Sequence, residues 1–151
     1  KRSNGGGSSG GFLATVAALN DDINDVADDL SVSTKARLLV LYNPAYIPKA
    51  RYSPPPVQYI NSRTPPAIFF YGDHDPYKPG GDEFYAALAK EHIKTALWVA
   101  SGEAHSFFNK NNWQLGSSSK AFNFLITNGI IKGALIADVA DAPLVLQPVQ
   151  Q

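Results

Sequence analysis

The chain contains no cysteine among its 151 residues. This absence excludes a disulfide framework, a thiolate nucleophile and a cysteine-ligated zinc site. It does not determine the compartment, although a cysteine-free chain is compatible with secretion or a periplasmic location.

Net charge and long apolar runs are also lacking. The 13 basic and 13 acidic residues cancel, so no overall field attracts the protein to nucleic acid or to an anionic membrane. No apolar run approaches the roughly 20 residues of a membrane-spanning helix, and no charged-then-apolar signal segment opens the chain. A neutral small-molecule or carbohydrate-linked substrate is easier to accommodate.

Apolar residues make up 44% of the chain, enough for one modest globular domain with a core. Three β-rich apolar runs predict buried strands: 37–42, 67–71 and 95–100. Apolar spacing predicts three helices, at about 12–19, 82–92 and 118–128. Serines are available to cap the start of the last helix, and Gly129 its end. This alternation favours an α/β fold in which helices pack on both faces of a parallel sheet.

The remaining segments are polar or rich in proline. Residues 1–11 are nearly all glycine and serine, and their default interpretation is a flexible linker. Prolines crowd residues 45–66, where they exclude a helix or a central strand. Aspartates crowd residues 20–30, but their spacing does not match an EF-hand calcium loop, so a solvated loop is the better interpretation. We expect residues 134–151 to form an irregular tail, which leaves 12–133 as the main body of the domain.

A serine motif, an acid and a histidine occupy loops that follow predicted strands or precede helices. Open parallel sheets place reactive groups in such loops, beyond the carboxyl ends of the strands. The chain order Ser8, Asp75, His105 is that of α/β-hydrolases and differs from the orders of trypsin-like and subtilisin-like proteases. The serine motif fits G-x-S-x-G twice, centred on Ser8 or on Ser9. Its glycines suit a strained elbow, where a β-carbon would collide with the neighbouring strand and helix.

These segments resemble a known family. The run Ser8-Ser-Gly-Gly-Phe-Leu-Ala14 resembles the S-A-G-G-x-L-A stretch of carboxylesterases related to hormone-sensitive lipase and of esterases close to feruloyl and acetylxylan esterases. The segment 65–79 looks like the family's P-P-x-L-x-x-x-G-x-x-D-x-x-V-P, with Asp75 at the acid. The segment 101–109 is similar to its G-x-G-H-x-F, which ends at the base, here His105.

The resemblance implies a serine hydrolase that cleaves carboxylic esters through an acyl-enzyme. In it, Ser8 attacks the carbonyl, His105 takes its proton and Asp75 orients the ring. The backbone N–H of Ser9 would be one oxyanion donor. This chemistry needs no cofactor and no metal, so we expect none.

Each of these residues also has a plainer interpretation. Ser8 taken alone is typical of a mobile linker, and Asp75 is typical of a turn residue before proline. We assign no catalytic role to His74 or to His92. The order and register of the three segments together favour the catalytic interpretation.

Three aromatic residues follow His105 within eight positions. Phe107 and Phe108 are candidates for substrate binding, together with Trp113, because they could shape an acyl or aromatic-acid pocket. They are equally good candidates for the core.

The chain also departs from the family pattern. Residues 1–5 do not predict the hydrophobic strand that normally precedes the elbow, and the family's earlier strands and its His-Gly oxyanion loop are absent from this sequence. Phe12 and Ser106 replace residues usual in the family. We therefore expect the carboxyl-terminal half of a hydrolase, taken from a longer precursor, which pairs with a missing amino-terminal segment or a partner chain.

Two other functions stay open at this point. A catalytically silent fragment or pseudo-enzyme could serve as a binding or assembly module, since the first half of the family's sequence is missing. A peptidase of the prolyl-oligopeptidase type has the same triad order and is not distinguished by these motifs.

Overall fold

The computed structural model describes residues 3–20, 24–31, 33–47, 55–139 and 144–146. It contains five strands: β1 Asn4–Gly7, β2 Leu39–Tyr42, β3 Ala67–Gly72, β4 Thr95–Ala100 and β5 Leu144–Leu146. It contains three α-helices: α1 Ser9–Leu19, α2 Lys78–Lys90 and α3 Asn111–Thr127. Two short 3-10 helices cover Pro56–Tyr59 and Phe107–Asn109.

The five strands form one sheet in the order β1-β2-β3-β4-β5. The first four are parallel, and β5 joins the edge of β4 in antiparallel register, with Val145 opposite Val99. β3 lies at the centre and is buried along its whole length, as expected for a strand covered on both faces. The predicted partial α/β fold is confirmed, and the antiparallel β5 is the difference from the predicted parallel sheet.

Alternate side chains of the strands feed two cores. Leu39, Leu41 and Phe69 face α1 and α2 in one apolar cluster, while Ile68 and Phe70 face α3 in the other. The period of two in a strand produces this division, because neighbouring side chains point to opposite faces. Helices therefore cover both faces of the sheet, as predicted.

The prediction that residues 1–5 cannot form a strand is wrong, and so is a linker interpretation of the whole segment 1–11. Asn4–Gly7 pairs with β2 in parallel register. The ladder uses backbone groups that every residue except proline carries, so it does not require apolar side chains. Glycine is favoured here because a β-carbon on Gly5 would lie 2.7 Å from the Val40 carbonyl oxygen.

The carboxyl-terminal tail also differs from prediction, since part of it is strand β5 rather than irregular chain. Its backbone satisfies the outer edge of β4, where three residue pairs form the antiparallel ladder. Pairing across a distance of more than forty residues leaves no local pattern in three strand residues, which is why periodicity missed it.

The observed helices lie where they were predicted, but their first and last residues differ from the prediction. α3 begins at Asn111, well before the serines expected to cap it, and Lys110 at its N-cap makes no side-chain capping bond. The predicted end is confirmed, because Gly129 has a φ of 65°. The N–H groups of Gly129 and Ile130 donate to the carbonyls of Ile126 and Leu125, which is the Schellman arrangement.

Parts of two predicted loops lie outside the described residues. They include Asp21 and Asp22 of the acidic segment, and Pro48 and Pro54 of the proline-rich segment. Within the described parts of the chain, no helix combines the length and apolarity needed to cross a membrane.

Candidate active site

Ser8 lies at a sharp turn between β1 and α1. Its φ of 52° and ψ of −123° fall in a region that residues with a β-carbon rarely adopt. Hydrogen bonds to β2 and the loop after it hold this backbone in place: the Ser8 N–H donates to the Tyr42 carbonyl, and the Ala45 N–H donates to the Ser8 carbonyl, each at 3.0 Å. The turn lifts the hydroxyl above the carboxyl edge of the sheet, as a strand-to-helix elbow requires.

The glycines around Ser8 differ in what they make possible. A β-carbon on Gly6 would lie 2.6 Å from the backbone of Gly10, and one on Gly11 would lie 2.9 Å from the Pro44 side chain. A β-carbon on Gly10 would meet no atom within 4 Å. The tight approach of strand to helix therefore depends on Gly6 and Gly11, while Gly10 tolerates a side chain.

Asp75 follows β3 by three residues and is almost fully buried, with 3% of its surface exposed. One carboxylate oxygen accepts the Tyr77 N–H at 2.9 Å. The other accepts the Nδ1–H of His105 at 2.8 Å. These bonds compensate a carboxylate that has lost its water.

His105 follows β4 and joins the other two side chains. Its Nδ1 faces Asp75, and its Nε2 lies 2.9 Å from the Ser8 Oγ. With Nδ1 protonated toward the carboxylate, Nε2 is left as an acceptor for the serine hydroxyl. The Tyr77 ring packs edge-on against the imidazole, with centroids 5.1 Å apart. The fold thus gathers Ser8, Asp75 and His105 in one hydrogen-bonded chain.

The loop that carries His105 is fastened to the loop that carries Asp75. The His74 N–H donates to the Glu103 carbonyl at 3.0 Å, and the Gly102 N–H donates to an Asp73 carboxylate oxygen at 3.0 Å. Gly72 permits this approach, because a β-carbon there would overlap the Glu103 carbonyl. The distance between acid and base is therefore fixed by backbone contacts.

The Glu103 side chain anchors the same loop from the other side. Trp113 Nε1–H donates to one of its carboxylate oxygens at 2.8 Å, and Lys110 forms an ion pair with the other. The hydrogen bond from the Lys110 ammonium is the main cause that lowers the pKa of Glu103, and the bond from Trp113 adds to it. The charged carboxylate thus ties the histidine loop to the start of α3.

Ser9, the predicted oxyanion donor, is the first residue of α1. N–H groups in the first turn of a helix have no acceptor within the helix. The positive end of the helix dipole adds to their affinity for a developing negative charge.

Phe107 lies in the core on the α3 side of the sheet, and Phe108 is partly buried against that core. Phe107 is 1% exposed and packs edge-on against Trp113, with ring centroids 5.9 Å apart. Phe108 packs against Tyr42 and the same cluster. The prediction that Phe107 lines a substrate pocket is corrected, because its ring is enclosed between the sheet and α3.

Two neighbours of His105 were missed by the sequence analysis. The side-chain nitrogen of Asn43 lies 3.1 Å from both ring nitrogens, and Tyr77 contacts the ring edge. Asn43 directly follows the carboxyl end of β2, and that position was the available signal.

Comparison with known proteins gives a result for structure and none for sequence. No family model matches the sequence, and no curated protein does. Esterase 2 of the planctomycete Thermogutta terrifontis with propionate bound has a TM-score of 0.75 and 25% identity. The match covers 86% of this chain and 57% of that one. The same esterase phosphorylated by paraoxon has a TM-score of 0.76 and 26% identity, over 86% of this chain and 55% of that one.

The chain matches an α/β-hydrolase serine esterase. It spans a little over half the length of the esterase chains that it matches. Its sheet and helices therefore represent part of an α/β-hydrolase fold, and this part includes the strands whose carboxyl ends carry Ser8, Asp75 and His105.

The two glycines that flank the serine give a matched test of the elbow. We expect Gly6→Ala to lower the free energy of unfolding by about 2 kcal/mol or more, because its methyl group overlaps backbone that cannot move aside. Gly10→Ala should leave stability unchanged or raise it by up to about 1 kcal/mol, since alanine favours a helix. Urea unfolding of both variants measures the difference. Equal stability of the two would contradict the close packing described for Gly6.

The Glu103 anchor predicts a pH dependence of stability. Folding lowers the pKa of Glu103 from its ordinary value of 4.5, so its contribution is present above that value and lost as the pH falls through the lower, folded one. We expect Glu103→Gln to be less stable than the unmodified protein at pH 7, by up to about 1 kcal/mol because Lys110 is exposed. The difference should diminish at a second pH below 4.5, where the carboxyl group begins to bind a proton in both states. Denaturant unfolding at both pH values checks it, and a difference independent of pH would refute the ion-pair explanation.

Proposed function

We propose that this chain carries the catalytic residues of a serine hydrolase that cleaves carboxylic esters. The observation that carries the proposal is the hydrogen-bonded chain from Ser8 Oγ through His105 to the buried Asp75 carboxylate, at 2.9 and 2.8 Å. The similarity of the protein's fold to esterase structures supports the same chemistry. A nucleophile, a base and an orienting acid in hydrogen-bond reach are the minimum set for acyl transfer.

The first half-reaction forms an acyl-enzyme. Ser8 Oγ attacks the ester carbonyl carbon while its proton passes to Nε2 of His105, and the carbonyl oxygen becomes an oxyanion. The Asp75 carboxylate stabilises the imidazolium and keeps the remaining proton on Nδ1. When the intermediate collapses, the bond to the alcohol oxygen breaks, and Nε2 gives its proton to the departing alcohol.

The second half-reaction releases the acid. Water attacks the acyl carbonyl while His105 removes its proton, and the bond between the acyl group and Ser8 Oγ then breaks. The serine oxygen recovers its proton from Nε2, which restores the starting state. The Ser9 N–H at the start of α1 is our candidate for one oxyanion donor in both steps.

A largely apolar cavity of about 220 Å³ opens beside the serine turn. It is lined by Ser9, Phe12, Ala45, Ile47, Pro55, Pro56 and Tyr77. Because Ser9 follows the nucleophile and Tyr77 touches His105, a group held in this cavity would lie next to the reacting carbonyl. The lining favours an uncharged apolar acyl or alcohol group. Thermogutta terrifontis esterase 2 has been solved with propionate and with butyrate bound, and short acyl esters are our first substrates to test.

The nucleophile can be tested with the folded 151-residue chain. We expect a fluorophosphonate probe to label it, and Ser8→Ala to abolish the labelling, because the probe needs a serine activated by a base. Ser9→Ala is the matched control and should retain labelling at close to the original rate. Mass spectrometry of the labelled peptide measures both.

The other outcomes have clear meanings. Label retained in Ser8→Ala but lost in Ser9→Ala would move the nucleophile by one residue. A folded chain that takes no label would contradict this proposal and support a catalytically silent binding module. Faster cleavage of matched amides than of esters would favour a peptidase.

We also propose that β1 pairs with a further strand, from the same protein or from a partner chain. In the sheet formed by the described residues, β1 is bonded to β2 on one side and is an edge strand on the other. A regular strand edge with no cover tends to pair with another strand. The length of the matched esterase chains, nearly twice the length of the matching part, supports this proposal.

The open edge predicts the behaviour of the 151-residue chain in isolation. We expect it to self-associate or to bind a hydrophobic dye, because the open edge of β1 has no strand beside it in the sheet formed by the described residues. Light scattering and dye fluorescence measure these properties. A monomer that unfolds cooperatively and binds no dye would show that β1 needs no partner.

A further inference from the structure

Asn43 occupies a strained and buried position at the carboxyl end of β2. Its φ is 36°, in the left-handed region, although the next residue is Pro44, which favours extended backbone before it. Its backbone N–H continues the sheet ladder by donating to the Phe70 carbonyl at 2.7 Å. No part of the residue is exposed to solvent. The fold therefore holds a polar side chain in a conformation that is unfavourable for the backbone.

The loop that carries Asn43 is bound to the serine turn. Hydrogen bonds from the Ser8 N–H to Tyr42 and from the Ala45 N–H to Ser8 enclose it on both sides. The Tyr71 hydroxyl donates to the Pro44 carbonyl at 2.7 Å, and burial raises the pKa of Tyr71, so this donor stays protonated. These bonds thus fix the position of Asn43 relative to Ser8.

The Asn43 side chain faces the ring of His105 and does not lie in the in-plane direction of either ring nitrogen. Its Nδ2 is 3.1 Å from Nδ1 and 3.1 Å from Nε2. In the plane of the ring, a position 3.1 Å from both nitrogens would clash with ring carbons, so the amide nitrogen lies out of the plane, toward a ring face. Both nitrogens already have in-plane partners, Asp75 and Ser8.

The side-chain oxygen of Asn43, at the other end of the amide, lacks a hydrogen bond within the part of the chain that the structure describes, which is unfavourable for stability. Asn43 Oδ1 is buried, and among the described residues it has no hydrogen-bond partner. A buried acceptor without a partner and a positive φ both oppose stability. Such features concentrate at functional sites, where they persist because the position serves the chemistry.

The charge on the amide determines what it does to the ring. Its N–H hydrogens carry partial positive charge, which is attracted to the electron-rich face of a neutral imidazole and repelled by an imidazolium. The Asp75 carboxylate acts in the opposite direction, because it favours the charged ring. A base that rests in its uncharged form is ready to accept the serine proton.

We propose that Asn43 is a positioning residue that holds the His105 ring between Ser8 and Asp75 and favours its uncharged form. This inference rests on the proposed function for its meaning, but it concerns a contact that can be measured without turnover. The other groups that face the ring or flank it stay unchanged in the variants below: Asp75 and Tyr77 at the ring, Asp73 with the Gly102 N–H, and Glu103 with Lys110.

The test is an NMR titration of the His105 ring protons in the 151-residue chain. The three histidines are assigned with His74→Gln and His92→Gln. In Asn43→Leu, which removes the amide but keeps the volume, we expect the titration midpoint to rise by about half a pH unit. In Asn43→Asp, which replaces the amide with a carboxylate of the same shape, we expect a rise of about one pH unit or more.

Controls separate a local effect from a general one. Asn20→Asp adds the same charge at the opposite end of α1 and should leave the titration midpoint of His105 unchanged. The titration midpoint of His74 should be the same in every variant that retains it. An unchanged or lowered midpoint in Asn43→Asp would overturn the proposal, even if Asn43→Leu fails to fold. Failure of the proposed function is a separate result, since it would appear as absent fluorophosphonate labelling of the unmodified chain.

Discussion

The site depends on the parallel pairing of β1 with β2. Parallel strands end at one edge of a sheet, so pairing in this register brings Ser8 above Asn43 and into line with Asp75 and His105, which follow β3 and β4. Without that ladder, Ser8 would belong to a glycine-rich segment with no fixed position. Because Gly6 and Gly11 lack β-carbons, α1 can follow the strand at once and turn the serine toward the histidine. A few backbone contacts thus decide whether distant side chains meet.

The loops above the sheet are held by contacts that do not take part in proton transfer. Glu103 joins the histidine loop to both the acid loop and the start of α3, and the Ala45 N–H joins the Asn43 loop to the serine turn. Such fixed loops keep donor and acceptor atoms at hydrogen-bond distance without reorganisation during the reaction. At the carboxyl edge of the sheet, the strained backbone of Ser8 and Asn43 is therefore held by hydrogen bonds from the surrounding loops.

Sequence patterns were most informative where an element is long or its core is apolar. The strands around Phe69 and Leu97 and the helix that contains Leu88 were predicted close to their observed positions, because burial imposes a recognisable run of side chains. The same patterns did not predict β1 and β5. Their pairing depends on backbone groups and on partners far along the chain, and neither leaves a local signal.

The sequence by itself determined the residue types and their order: a glycine-flanked serine, an aspartate and a histidine in loops between alternating strands and helices. Only the tertiary structure decided which groups surround the histidine ring, with Asn43 on its face and Tyr77 at its edge, and that Phe107 lies in the core. The physical reason is that chain order and apolar spacing report on burial within one element. Contacts across the edge of a sheet arise from register and loop path, which depend on the whole fold.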